Sequence, residues 1–307
     1  MEDSEVTGIT WDNLMYIVDF LELSGQKKVS LLGGEPTLHP RFVDFTLYLL
    51  ERSFHVNIFT SGIMSESRLW QCRDFLSKYP HERLSFTCNL NHPSISAPAE
   101  TSRVEAFLEI FGPVSVLSFN VYTVDFDMNF LVETIDRFNM RRHIRIGLAH
   151  PIPGEINRFI PAADLKKMAG RLSGFFDLLE KSEISPGFDC GMPMCLFSDA
   201  DIGRLFKLNQ GMVNFGCGPA IDIGPDMMVW ACFPLSNVNK RSLYEFNNLQ
   251  EIDSYYKELH ASVRKVKGGV FDVCDDCQWR KKELCRGGCI AHIMNQVPDK
   301  INTGIIS

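Results

Sequence analysis

The chain has 307 residues, of which 45% are hydrophobic and 22% charged, and a net charge of −7, the profile of an ordinary globular protein large enough for one domain and an appendage. The negative balance excludes an electrostatic case for nucleic acid, and no apolar run is long enough to span a bilayer. The acidic, polar start MEDSEVTG is unlike a secretory signal, so a cytoplasmic protein is expected.

Trp11, Leu14, Val18 and Leu21 recur at helical spacing, and Lys28 to Leu32 reads as a buried strand. Phe42 to Leu50 is predicted helical, Val56 to Phe59 a strand, Leu69 to Leu76 a helix and Leu84 to Thr87 a strand. Val104 to Phe111, Val114 to Val121, Phe130 to Phe138 and Ile144 to Leu148 continue as helix, strand, helix and strand. Strands separated by helices imply parallel βα units, wound as an open sheet or a barrel. Functional residues of such folds sit on the loops that follow the strands.

The loop after the first strand, GGEPTLHP from Gly33 to Pro40, is distinctive. Two glycines permit positive φ and close approach of backbone to a ligand, Glu35 supplies a negative charge, and Pro36 stiffens the turn. Together they suit a ligand ammonium group, although a purely structural β-to-α turn explains an isolated GGEP equally well.

After an amphipathic segment from Ala162 to Lys181 the alternation stops, which sets a domain boundary between residues 1–183 and 184–307. Ile221 to Gly224, the turn Pro225-Asp226, and Met228 to Trp230 read as a β-hairpin. Eight of the 10 cysteines fall between Cys190 and Cys289. Cys217 and Cys232 flank the hairpin, Cys274 and Cys277 form a C-x-x-C chelate, and Cys285 and Cys289 enclose Arg-Gly-Gly. In a reducing compartment such clusters bind metal or do redox chemistry. With almost no histidine nearby in sequence, thiolate-only ligation favours iron–sulfur, and a four-cysteine zinc scaffold is the alternative.

GGEPTLHP resembles the motif with which radical S-adenosylmethionine (SAM) enzymes hold the methionine end of SAM, and Thr60-Ser61-Gly62 resembles their TNG element. The cysteines after Cys217 resemble the SPASM extension, C-x₉₋₁₅-G-x₄-C followed by C-x₂-C-x₅-C-x₃-C and a final Cys. The resemblance implies an α/β fold: a partial (β/α)₆ TIM-like barrel, its first strand missing, followed by a small cysteine-rich α+β domain of SPASM type. It also implies SAM held by Gly33, Gly34, Glu35, Pro36 and Ser61, and at least one auxiliary [4Fe–4S] cluster. A peptide or protein substrate and an electron donor such as flavodoxin or ferredoxin are the implied partners.

The sequence departs from this pattern at four points. It contains no C-x₃-C-x₂-C for the catalytic cluster, so the expectation is a truncated or degenerate relative that does not cleave SAM reductively and is poorly soluble. The hairpin glycine falls at Met227, seven residues rather than five separate Cys277 from Cys285, and no cysteine follows Cys289. The resemblance groups Cys217, Cys232 and Cys289 as one set and Cys274, Cys277 and Cys285 as another, each one short of four. Cys190 or Cys195 would complete the first; both as ordinary core residues is the alternative. A non-catalytic relative, acting as an electron-transfer or peptide-binding module, is the competing reading to an enzyme.

Overall fold

The computed structural model describes residues 8–297, so MEDSEVTG lies outside the described residues except for Gly8. Strands β1 (Lys28–Leu31), β2 (His55–Thr60), β3 (Leu84–Asn89), β4 (Ser115–Val121), β5 (His143–Leu148) and β6 (Ser185–Phe188) form one sheet in sequence order. Pairing from β1 to β4 is parallel, with Val29 beside Val56, Ile58 beside Phe86, and Phe86 beside Ser115. Helix α1 (Trp11–Leu23) precedes β1, and α2 (Phe42–Glu51), α3 (Glu66–Leu76), α4 (Pro98–Phe111) and α5 (Asn129–Arg137) fill the next four connections. Of the open sheet or barrel that the alternation allows, this is the partial TIM-like barrel that the resemblance implies. The sixth strand, Ser-Pro-Gly-Phe, goes beyond the five that periodicity marks, because proline and glycine mask a strand in sequence.

The described residues form two compact units, 8–119 with Asp127–Arg145, and Asn120–Phe126 with 146–297. In the first, α1 starts where the Thr10 side chain accepts from the Asn13 amide, and α3 where Ser65 accepts from Arg68. One face of the sheet packs Val56, Ile58 and Phe86, all buried, with Phe107 and Phe111 whose ring centroids lie 5.4 and 4.8 Å from that of Phe86. Each such side chain contributes about 2 kcal/mol by leaving water. The opposite face is polar. There the Asn57 side chain donates to Thr87 Oγ1 at 3.1 Å and accepts from Ser85 at 3.0 Å, while Arg145 donates to Ser118 Oγ at 3.1 Å. Paired hydroxyls and amides keep this face wettable, which suits a polar ligand better than an apolar plug.

In the second unit the amphipathic segment divides into α6 (Leu165–Ser173) and α7 (Phe176–Lys181), interrupted at Gly174 and Phe175. Helix α8 (Asp199–Leu208) follows. The predicted hairpin is present as β7 (Asp222–Ile223) and β8 (Met228–Trp230), Asp222 opposite Trp230, and β9 (Arg241–Ser242) adds a third antiparallel strand. Helix α9 (Leu249–Val266) buries Ile252, Tyr256, Leu259 and Val263 at helical spacing. The Tyr256 hydroxyl, wholly buried, lies 2.7 Å from the Val229 carbonyl and 2.9 Å from that of Asn239, tying α9 to the hairpin. Helices α10 (Gln278–Lys281) and α11 (Ile290–Gln296) complete the described residues. Among these no helix is long and apolar enough to cross a membrane.

Met227, which stands where the resemblance places a glycine, has φ +63. The left-handed turn is therefore kept without glycine, at a cost of about 1–2 kcal/mol. The side chain is only 4% exposed, and removing a buried methionine costs about 2–5 kcal/mol. Burial outweighs strain, so Met227→Gly is expected to lower the denaturation midpoint; a raised midpoint would show that strain dominates.

Candidate cofactor and metal sites

The loop after β1 turns through Gly33 and Gly34 at φ +96 and +54, a region glycine enters without penalty. A Cβ at either position would meet nothing within 4 Å. Their role in the turn is conformational, and the space beside them is open to an incoming group.

Glu35 is committed to the protein itself. Its Oε1 accepts from the Thr37 amide at 3.3 Å, the Thr37 hydroxyl at 2.8 Å and the Thr60 hydroxyl at 2.8 Å. Its Oε2 accepts from the Ser61 amide at 2.7 Å and the Ser61 hydroxyl at 2.6 Å. The carboxylate thus caps the short helical turn Pro36–Leu38 and ties it to the loop after β2. Gly62, at φ +74, lets that second loop turn back so that its amide donates to Thr60 Oγ1 at 3.0 Å. The two motifs that sequence brings to notice are one hydrogen-bonded structure, with Pro36 fixing the turn and Ser61 in direct contact with Glu35.

Cys72 and Cys88 are fully buried in this unit. Burial pushes the Cys72 thiol up to about 11, and burial followed by the negative charge of Glu35 pushes Cys88 up to about 12. Both are neutral, inert core residues at physiological pH.

The other eight cysteines gather in two groups of four within the second unit. In the first, the Gly191 amide donates to the Gly216 carbonyl at 2.9 Å and sets Cys190 beside Cys217, and Cys190, Cys289 and the positive Arg264 hold the Cys217 thiol well below the usual range. Cys232 feels the same charge: burial and then Cys217 push it up to about 12. In the second, Cys195 is raised by burial and then by Cys274, Cys285 and Cys277. The Met194 amide donates to Cys285 Sγ at 3.5 Å, and the Gly287 amide to the same sulfur at 3.3 Å. The seven residues between Cys277 and Cys285 hold α10, which begins directly after Cys277.

Glycines keep these groups tight. A Cβ on Gly191 would lie 2.8 Å from Cys289 Cβ, and one on Gly269 would lie 2.6 Å from Cys274 Sγ and from the Gly287 carbonyl. Arg264, from α9, donates to the carbonyls of Arg286 and Gly288 and pins the loop that joins the last two cysteines. Among the described residues no three His, Cys, Asp or Glu side chains are drawn together around a single metal ion. The donor types are those an iron–sulfur core takes: cysteines in two groups, with the half-buried guanidinium of Arg264 and unpartnered ring nitrogens beside the first.

Those nitrogens belong to His292, three residues after Cys289, and to His150 and His260, which sequence proximity does not reveal. His260 stands one helical turn before Arg264 on α9; neither of its ring nitrogens has a hydrogen-bond partner, and it feels the charge of Cys217. His150 lies 3.3 Å through Nε2 from the Cys190 carbonyl, leaving Nδ1 unpartnered, and its ring meets that of His292 edge-on at 5.4 Å. The expectation of almost no histidine near the thiols fails here, because distant segments converge. The helical stripe of α9 was the one sequence signal that could have placed His260 on an inward face.

No protein-family model matches the chain, and no curated protein matches it. Among solved structures, the fold matches SuiB of Streptococcus suis. The crystal structure of SuiB bound to S-adenosylmethionine aligns with a TM-score of 0.61 at 16% identity, covering 98% of this chain and 69% of that one. SuiB without that ligand gives 0.59 at 16% identity, covering 94% and 68%. SuiB bound to the precursor peptide SuiA gives 0.61 at 15% identity, covering 93% and 65%. At these identities the likeness establishes a shared fold.

Proposed function

We propose that this chain is a radical SAM/SPASM-type protein that binds SAM on the loops after β1 and β2 and iron–sulfur clusters on the cysteines of its second unit, and that it serves the modification of a peptide or protein. The observation that carries this reading is the convergence of distant segments on the cysteines: the Gly191 amide donates to the Gly216 carbonyl beside Cys217, Gly191 abuts Cys289, and the Met194 amide donates to Cys285 Sγ. The shared fold with SAM-bound and peptide-bound SuiB supports the choice of ligand and of substrate class.

In this reading Glu35 shapes the SAM site and the backbone of Gly33 and Gly34 meets the methionine ammonium group, with Ser61 fixing the neighbouring loop. SAM would supply, on reduction by a catalytic iron–sulfur cluster of the kind for which this sequence has no C-x₃-C-x₂-C, a radical that abstracts hydrogen. The residues of this chain contribute orientation: a rigid turn at Glu35, open space beside Gly33 and Gly34, and a polar sheet face. Cys217, Cys232, Cys289, Cys274, Cys277 and Cys285 would hold the auxiliary clusters, with Cys190 and Cys195 completing the donor sets. Equilibrium dialysis with SAM under anaerobic conditions tests the first half. Saturable binding that is lost in Gly34→Val is expected; absence of binding by a folded, iron-loaded chain would overturn it.

A further inference from the structure

Cys190 and Cys195 are five residues apart, yet they stand with different groups. The Gly191 amide donates to the Gly216 carbonyl at 2.9 Å, which sets Cys190 beside Cys217, while the Met194 amide donates to Cys285 Sγ at 3.5 Å, which sets Cys195 beside Cys285. Geometry explains the division. The segment after Cys190 runs alongside the segment between Cys285 and Cys289. Gly191 abuts Cys289, a Cβ on Gly288 would lie 3.0 Å from Pro193 Cγ, and the Met194 amide points at Cys285 Sγ. The short helical turn Met194–Leu196 then carries Cys195 past Cys285. Gly191, at φ +91, makes this course possible: any side chain there would strike Cys289 and His150 Nε2 at about the 2.8–2.9 Å recorded for a Cβ.

From this course we infer that Cys195 is the fourth thiolate of the second metal group, with Cys274, Cys277 and Cys285, and that Cys190 closes the first with Cys217, Cys232 and Cys289. The inference rests on the iron–sulfur reading above and goes beyond it. The ligand that the SPASM pattern takes from a final cysteine is supplied here from upstream, so both groups are complete within residues 190–289. The segments 190–195 and 285–289 each contribute one thiolate to each group and form a double strap between them. Loading either group replaces thiol protons by iron, and the protons leave to solvent. No change of oxidation state is required of the ligands.

Two measurements on the full chain, reconstituted anaerobically with equal amounts of ferric and ferrous iron and with sulfide, test this. The first is iron and acid-labile sulfide in Cys195→Ala, Cys274→Ala, the double variant, and Cys232→Ala. Cys195→Ala and Cys274→Ala are each expected to lose about half of the iron and sulfide, and the double variant no more than either. Wild-type iron content in Cys195→Ala would overturn the assignment. The second needs no substitution: alkylation by iodoacetamide, mapped by mass spectrometry. Cys195 is solvent-exposed, so at about pH 9, where part of the raised thiol is ionised, it should be alkylated to completion in the metal-free chain and about tenfold more slowly once loaded. Equal rates in both states would overturn the assignment. Iron that survives Cys195→Ala but is lost in Cys232→Ala refutes the placement of Cys195 and leaves the iron–sulfur reading standing. Zinc without sulfide in the wild type refutes both.

Discussion

Replacing Glu35 with alanine is expected to destabilise the first unit by about 3–5 kcal/mol and, on the function proposed above, to abolish SAM binding. Five donors converge on that carboxylate, two backbone amides and three hydroxyls. Bonds to a charged acceptor contribute about 1.5–3 kcal/mol each when lost singly, less when lost together. Thr37 and Thr60 are buried, so their hydroxyls would lose a partner away from water. Glutamine tests the geometry more sharply. One backbone amide donates to each carboxylate oxygen, Thr37 to Oε1 and Ser61 to Oε2, so a carboxamide in either orientation sets its NH₂ against an amide N–H. Hydroxyls can rotate to accept; amides cannot. Glu35→Gln should therefore cost about 1–3 kcal/mol, read as a lowered urea midpoint. A glutamine variant as stable as wild type would show that the carboxylate is not the clamp described here.

Acidification is expected to weaken the metal-free chain between pH 7 and pH 5, through the buried histidines of the second unit. Burial, and then the neighbouring His150, lower His292 to about 3; burial lowers His150 and His260 as well. A histidine whose folded pKa is depressed contributes stability that is fully present above its unfolded value near 6.5 and lost as pH falls toward the folded one. For His292 alone the loss is about 2 kcal/mol at pH 5 and about 4 kcal/mol at pH 3. His292→Leu should flatten the dependence of the denaturation midpoint on pH in this window. An unchanged slope would exclude His292 as its source.

Much of the barrel could be read from the sequence, because each strand and helix of its first five repeats carries its own periodicity: Val56 and Ile58 alternate, while Phe107, Leu108 and Phe111 fall on one helical face. The loop GGEP and the hairpin between Cys217 and Cys232 were legible for the same reason, being local. Less visible was what depends on the chain's return. Glu35 looks like a free charge until Thr60 and Ser61 arrive from the next strand to occupy it. Cys190 and Cys195 look interchangeable until the 285–289 loop runs beside them and separates them. His260 shows its relation to Cys217 only through the packing of α9. Spacing identifies thiols that chelate within one turn, as Cys274 and Cys277 do, and says little about partners carried in from other segments.

The most direct test of the whole account is a Mössbauer spectrum of the anaerobically reconstituted chain, taken together with its sulfide content. Two four-thiolate groups predict about eight irons and about as many sulfides per chain, all in the spectral signature of [4Fe–4S] clusters. A chain that takes up zinc in place of iron and holds no sulfide would contradict the account.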